Sequence, residues 1–187
     1  KRASPARHEA AEHMAAVGKT RRWKPIAGVI AAVVVAVAAL TWFMNRQGQD
    51  RQINQALAAA DARKYETTFG QQANVTLDDG TVVTLGPDSR LTVPVQFNQG
   101  IRAVKIEGTA HFTVPAGAGD PFQVRAGEAA IAVTGTVFTV RRFPGDTQVV
   151  VHVREGTIQL RQGEEQRDVG AGMSYLVTDG ASMRVPT

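Results

Sequence analysis

The chain contains no cysteine. That excludes a disulfide framework, a thiol nucleophile and a thiolate metal site, and it leaves the redox compartment undefined. Aromatic residues are scarce, at 6%. Histidine and serine are each present four times, and neither sits in a pattern that carries chemistry. His8 and His13 stand five residues apart, a poor spacing for a shared metal on one helix face. His111 and His152 fall singly on outward positions of alternating runs, where a surface histidine is the common explanation. Ser4, Ser89, Ser174 and Ser182 lie in no nucleophile-elbow motif, and no glycine-rich phosphate loop occurs. Asp78-Asp79-Gly80 suits a hairpin turn better than carboxylate catalysis. The sequence therefore points away from an enzyme, and no cofactor or metal is expected.

Charge of one sign is lacking where nucleic-acid binding would need it. The net charge is +4, but residues 1–25 hold seven Lys/Arg against Glu9 and Glu12 and account for +5. The remaining residues carry −1. A near-neutral domain with few aromatics does not grip phosphates, so no nucleic-acid partner is expected.

Charge is absent altogether from Ile26 to Met44, IAGVIAAVVVAVAALTWFM, a run of nineteen residues. At 1.5 Å per residue this spans roughly 28 Å, about one bilayer core. Trp23 and Trp42, the only tryptophans, flank it where amphipathic rings favour the headgroups. Lys19, Arg21, Arg22 and Lys24 crowd the first end, which places the N-terminus in the cytoplasm. A buried core helix would carry a polar stripe, and this run has none. Ala36-Val37-Ala38 resembles a signal-peptidase site, but the long basic lead and the apolar run beyond it favour an uncleaved anchor. The expected organisation is a cytoplasmic tail over 1–25, a transmembrane helix over 26–44, a juxtamembrane helix or stalk over 45–64, and an all-β domain over 65–187. In the tail, Ser4 and Pro5 suit the start of a short helix. In the stalk, Ile53, Ala56, Leu57 and Ala60 recur at helical spacing.

From Tyr65 onward the period changes to two. About eleven short β-prone runs, among them AVKIE, AHFTV, TVFTV and TQVVVHV, alternate with turn segments such as DDG, NQG and FPGD. Ala110, Phe112 and Val114 share one face, as do Val149, Val151 and Val153. In TVFTV, Val137 and Thr139 oppose Thr136, Phe138 and Val140. The regular glycine turns suggest a β-solenoid-like stack of short strands, with a β-sandwich as the alternative.

Five segments in order resemble one family. The first is NVTLDDGTVVTLGPDSRL, with Val75, Leu77, Asp79, Gly80, Thr81, Val83, Leu85, Ser89 and Leu91. RAVKIEGTAHFTV follows, with Arg102, Gly108 and Phe112, and then PFQV at 121–124, VTGTVFTV with Gly135 and Thr136, and VHVREGTIQL with Glu155 and Gly156. Together they resemble the periplasmic domain of the FecR family of transmembrane sigma-factor regulators, over roughly residues 65–177. Thr109 departs from the family's common Glu at an outward position.

The resemblance implies an inner-membrane, single-pass protein. A TonB-dependent outer-membrane receptor, often for iron chelates, would signal to its periplasmic domain. Its cytoplasmic region would hold or license an extracytoplasmic-function sigma factor. SPARHEAAEHMAAV resembles the last helix of the family's anti-sigma domain. The rest of that domain, and the receptor-docking subdomain after Thr187, are absent, as expected of a fragment or of a short member that senses differently. Some family members self-cleave at a Gly-Thr step, which makes Gly135-Thr136 a candidate: the Thr136 hydroxyl would attack the Gly135 carbonyl. The plainer reading is a glycine turn before a strand. A second function class, an envelope scaffold that self-associates or binds cell-wall polymer, fits the same β-domain.

Overall fold

The computed structural model describes residues 48–117, 119–178 and 181–185. The expected tail and membrane span, with His8, His13, Trp23, Lys24 and Trp42, lie outside the described residues. Among those described, no helix is long and apolar enough to cross a membrane.

Helix α1 covers 48–58. Thirteen strands follow: β1 (Arg63–Glu66), β2 (Ala73–Thr76), β3 (Val82–Leu85), β4 (Arg90–Val93), β5 (Ala103–Val114), β6 (Phe122–Ala126), β7 (Ala129–Val133), β8 (Thr136–Arg142), β9 (Val149–Glu155), β10 (Thr157–Gln162), β11 (Glu165–Gly170), β12 (Ser174–Thr178) and β13 (Ala181–Val185). The main path of hydrogen-bonded neighbours runs β11-β10-β7-β6-β5-β8-β9-β12-β13, with β1 on β4, β2 on β3, and both β3 and β4 against β5.

The chain builds a nearly closed eight-stranded barrel, which overturns the expected solenoid-like stack. A solenoid stacks successive coils in parallel, but every ladder here except β5–β6 is antiparallel. The glycines read as coil corners are instead the points where strands cross from one half of the barrel wall to the other. β5 shows how. Its first residues pair with β4 and β6, and its residues from Gly108 onward pair with β3 and β8. The runs AVKIE and AHFTV are thus one bent strand. At the opposite seam, Gly172 donates to the Val153 carbonyl at 2.8 Å and Val153 donates to that of Met173 at 3.0 Å. These bonds tie the turn after β11 back to β9.

Alternation fills the interior as the period-two pattern requires. Phe97, Phe112, Phe122 and Phe138 are fully buried. Phe112 stacks on Phe138 with centroids 5.0 Å apart, and Phe97 meets Phe122 edge-on at 6.2 Å. Each such side chain contributes on the order of 2 kcal/mol by burial. No residue of α1 belongs to this core. Ile53 and Leu57 form a separate small cluster with Ile101 and Ala103 on the outside of the barrel wall.

Candidate functional site

The Gly135-Thr136 step sits at a corner where two chain segments change sides of the barrel. Thr134 and Gly135 link β7 to β8, and Gly156 alone links β9 to β10. Gly156 has φ of +84°, and a Cβ there would lie 2.7 Å from the Gly135 carbonyl oxygen and 3.0 Å from Thr136 Oγ1. Gly135 lies just as close to the segment after β5, since a Cβ on it would fall 2.8 Å from that of Ala116. Both glycines are therefore required by close approach of backbone to backbone. Thr136 is 3% exposed, and its hydroxyl donates to the Thr157 carbonyl at 2.9 Å. The corner thus gathers Gly135, Thr136, Glu155 and Gly156. Glu155 itself is solvent-facing and pairs with Arg154 at 3.3 Å. A carbonyl orients the Thr136 hydroxyl but takes no proton from it, so acyl transfer here would need water as the proton carrier.

Asp79 and Gly80 close the β2–β3 hairpin. Gly80 has φ of +81° and donates to the Leu77 carbonyl at 3.0 Å. The Asp79 carboxylate accepts from the Thr81 amide and the Thr81 hydroxyl, each at 2.9 Å. It also pairs with Arg102 Nε at 2.7 Å, the two side chains being 1% and 5% exposed. Arg102 Nη1 donates to the Asp120 carbonyl at 2.6 Å, and the guanidinium lies 5.6 Å from the centre of the Phe122 ring. Asp79 is therefore both turn residue and buried latch between the hairpin, β5 and the loop before β6. Sequence reasoning named both residues without joining them. The signal available was that each is a charge inside an otherwise apolar motif.

Gly108 forms the bend of β5 with φ of +97°, where a Cβ would fall 2.4 Å from Ser89 Oγ. That hydroxyl accepts from the Thr109 amide at 2.8 Å, which anchors the bend. Phe112 lies four residues on, inside the aromatic core. The structure does not bring Gly108 or Asp79 to the Gly135-Thr136 corner as one chemical site.

Neither strand histidine is a lone surface residue. In register across the wall stand Asn74, Thr84, His111, Thr139, His152 and Ser174. His111 Nδ1 meets Thr139 Oγ1 at 3.0 Å, and His152 Nδ1 meets Ser174 Oγ at 2.8 Å. Burial lowers the pKa of His111, and the charge of Arg154 lowers it further. Among the described residues no group of His, Asp and Glu is arranged to hold a metal.

Helix α1 makes the remaining unusual contact. Asp50 Oδ1 accepts from Arg125 Nη2 at 2.6 Å and from Arg161 Nη2 at 2.7 Å. Arg125 and Arg161 are both opposite Ala130 in the β6-β7-β10 register, so a small side chain separates the two cations. The Arg161 hydrogen bond is the largest influence on Asp50 and holds its carboxyl below the ordinary range, with Arg125 assisting and burial opposing. Sequence reasoning found the helix but not its seat.

Residues 63–159 match the family described as FecR protein. Two crystal structures of a candidate anti-sigma factor from Parabacteroides distasonis are similar to this chain, with TM-scores of 0.62 and 0.61 at 29% and 30% identity. Each similarity covers 66% of this chain and 59% of the other, so the chain spans about 59% of that solved relative's length. No protein of curated function matches the chain.

Proposed function

The chain belongs to the FecR family, and from this premise we propose that it regulates an extracytoplasmic-function sigma factor across the inner membrane. The part of the chain that matches the family is the all-β barrel described above, and its likeness to a solved anti-sigma factor supports a signalling role. The observation that carries the reading is the family match over 63–159 directly downstream of the basic-flanked apolar run 26–44. In this reading Trp23, Lys24 and Trp42 anchor the span, and residues 1–25 face the sigma factor in the cytoplasm. The β-domain faces the periplasm, where the signalling domain of a TonB-dependent receptor contacts it.

Orientation is tested with single cysteines in the otherwise thiol-free chain. The full chain, in intact Gram-negative cells, is treated with a maleimide small enough to pass the outer membrane but not the inner. Thr76→Cys, at an exposed position of β2, is expected to react, and Ser4→Cys is expected to react only after lysis. The reverse pattern, or equal reaction of both, overturns the reading.

A second step at the Gly135-Thr136 corner is supported by the packing of Thr136 Oγ1 and the Gly135 carbonyl under Gly156. In self-cleavage the Thr136 oxygen bonds to the Gly135 carbonyl carbon and the peptide C–N bond breaks. The hydroxyl proton, relayed by water, ends on the Thr136 nitrogen. Hydrolysis of the resulting ester then leaves a Gly135 carboxylate and a free Thr136 hydroxyl and amine. The product is two chains that remain paired through the barrel's ladders.

A further inference from the structure

Helix α1 is attached to the barrel outside its main core. Its apolar side chains Ile53 and Leu57 join only Ile101 and Ala103, with Ala56 alongside, and none of these enters the main core. The aromatic interior would therefore stay closed if α1 left.

The rest of the attachment is one carboxylate. Asp50 holds Arg125 and Arg161 from across two strand spacings, and those cations have no other acidic partner in the described ion pairs. Packing beside the helix is incomplete. A cavity of about 340 Å³ opens between Asn54, Leu57 and Ala58 of α1 and Lys105, Arg125 and Glu128 of the barrel. Arg125 Nε is buried without a hydrogen-bond partner. Unfilled space and an unsatisfied donor lower the cost of separating two surfaces, because fewer optimised contacts are lost.

We propose that α1 is a releasable clamp, which lifts from its seat over Ala103 while the barrel stays closed, with Asp50 setting how readily it does so. Release exposes Ala103 and frees the two arginines. Because α1 follows the apolar run 26–44 within a few residues, its release changes what the barrel can pull on. That regulatory meaning rests on the membrane-regulator reading, whereas the clamp itself does not.

The absence of native cysteine makes the clamp measurable in the full chain. Ala103 is 0% exposed, so in Ala103→Cys the sole thiol reacts with a maleimide only when α1 lifts. Val151→Cys, in the main core and also 0% exposed, reports barrel opening. Adding Asp50→Asn is expected to speed labelling at position 103 severalfold and leave position 151 protected. Equal acceleration at both positions means the whole domain opens, and no acceleration at 103 means Asp50 holds nothing; either result overturns the clamp. If Ala103→Cys does not fold, Leu57→Cys reads the same event from the helix side. Sigma-factor binding is scored separately, by copurification, so failure of that reading leaves the labelling result intact.

Discussion

Arg102 donates its Nε proton to Asp79 Oδ2 across 2.7 Å, with 5% and 1% of the two side chains exposed. The pair joins the β2–β3 turn to the start of β5, two segments that are distant in sequence. Ion pairs this deep are costly to desolvate, and they stabilise only while both partners and their hydrogen bonds remain. Here Thr81 and the Asp120 carbonyl supply some of those bonds, while Arg102 Nη2 is buried without a partner.

Arg102→Ala is therefore expected to cost about 3–5 kcal/mol, because Asp79 would remain charged and buried. Replacing both residues with apolar ones of similar size, Arg102→Met with Asp79→Leu, is expected to cost less than the single change. Urea denaturation followed by tryptophan-independent far-UV circular dichroism measures both. A single variant within about 0.5 kcal/mol of the parent would show that the latch contributes little.

Gly108→Ala is expected to destabilise the barrel by more than about 2 kcal/mol, since the position combines positive φ with a steric conflict. Removing the nearest obstacle with Ser89→Ala does not rescue it, because the Asp88 carbonyl would still lie 2.7 Å from the added Cβ. Thermal melts of the single and double variants decide this. Rescue by Ser89→Ala would place the whole conflict on one hydroxyl.

Acid is expected to loosen α1. Asp50 has a folded-state pKa below its unfolded value, so its contribution is present above the unfolded pKa and is lost as pH falls through the folded one. The protection of amides 50–58 against hydrogen exchange, relative to the intrinsic rate at each pH, is expected to fall below the usual aspartate range, about pH 4. Asp50→Asn is expected to show low protection throughout, with a much smaller pH dependence of that protection. An identical pH profile in parent and variant would assign the acid response to other carboxylates.

Much of the wall was legible in the sequence, and its closure was not. Strands whose faces alternate, such as β8 with Thr136, Phe138 and Val140 on one face, follow directly from period two, and the structure shows that face to be the inner one. Period two carries no information on which strand pairs with which, so Gly108, Gly135 and Gly156 could be read as solenoid corners. They are crossover points of a barrel. β11, EQRDVG, has four exposed residues at its start and no apolar alternation, so nothing in the sequence marks it as a strand. β1, with three of its four residues exposed, straddles the expected boundary, with Arg63 and Lys64 in the stalk and Tyr65 and Glu66 in the β-domain. The seat of α1 was illegible because alanine on the outer face of a strand looks like any small surface residue. The Asp79–Arg102 latch needed three dimensions, as did the hydrogen bonds that make His111 and His152 part of a polar row.

Self-cleavage at the glycine-threonine corner has a simple readout. The full chain is expected to yield two fragments on a denaturing gel, split between residues 135 and 136. Thr136→Ala is expected to abolish them and Thr136→Ser to retain them, because only the hydroxyl is needed for the acyl shift. Fragments that persist in Thr136→Ala would assign the cut to an external protease.

The sigma-factor reading stands or falls on one copurification. The full chain, solubilised from membranes of its source organism, is captured and its partners are identified by mass spectrometry. An extracytoplasmic-function sigma factor is expected to copurify with it, and to be lost when residues 1–25 are deleted while the barrel's fold is unchanged. No sigma factor in the intact sample, with concentration-dependent self-association in its place, would contradict the regulator and leave an envelope scaffold.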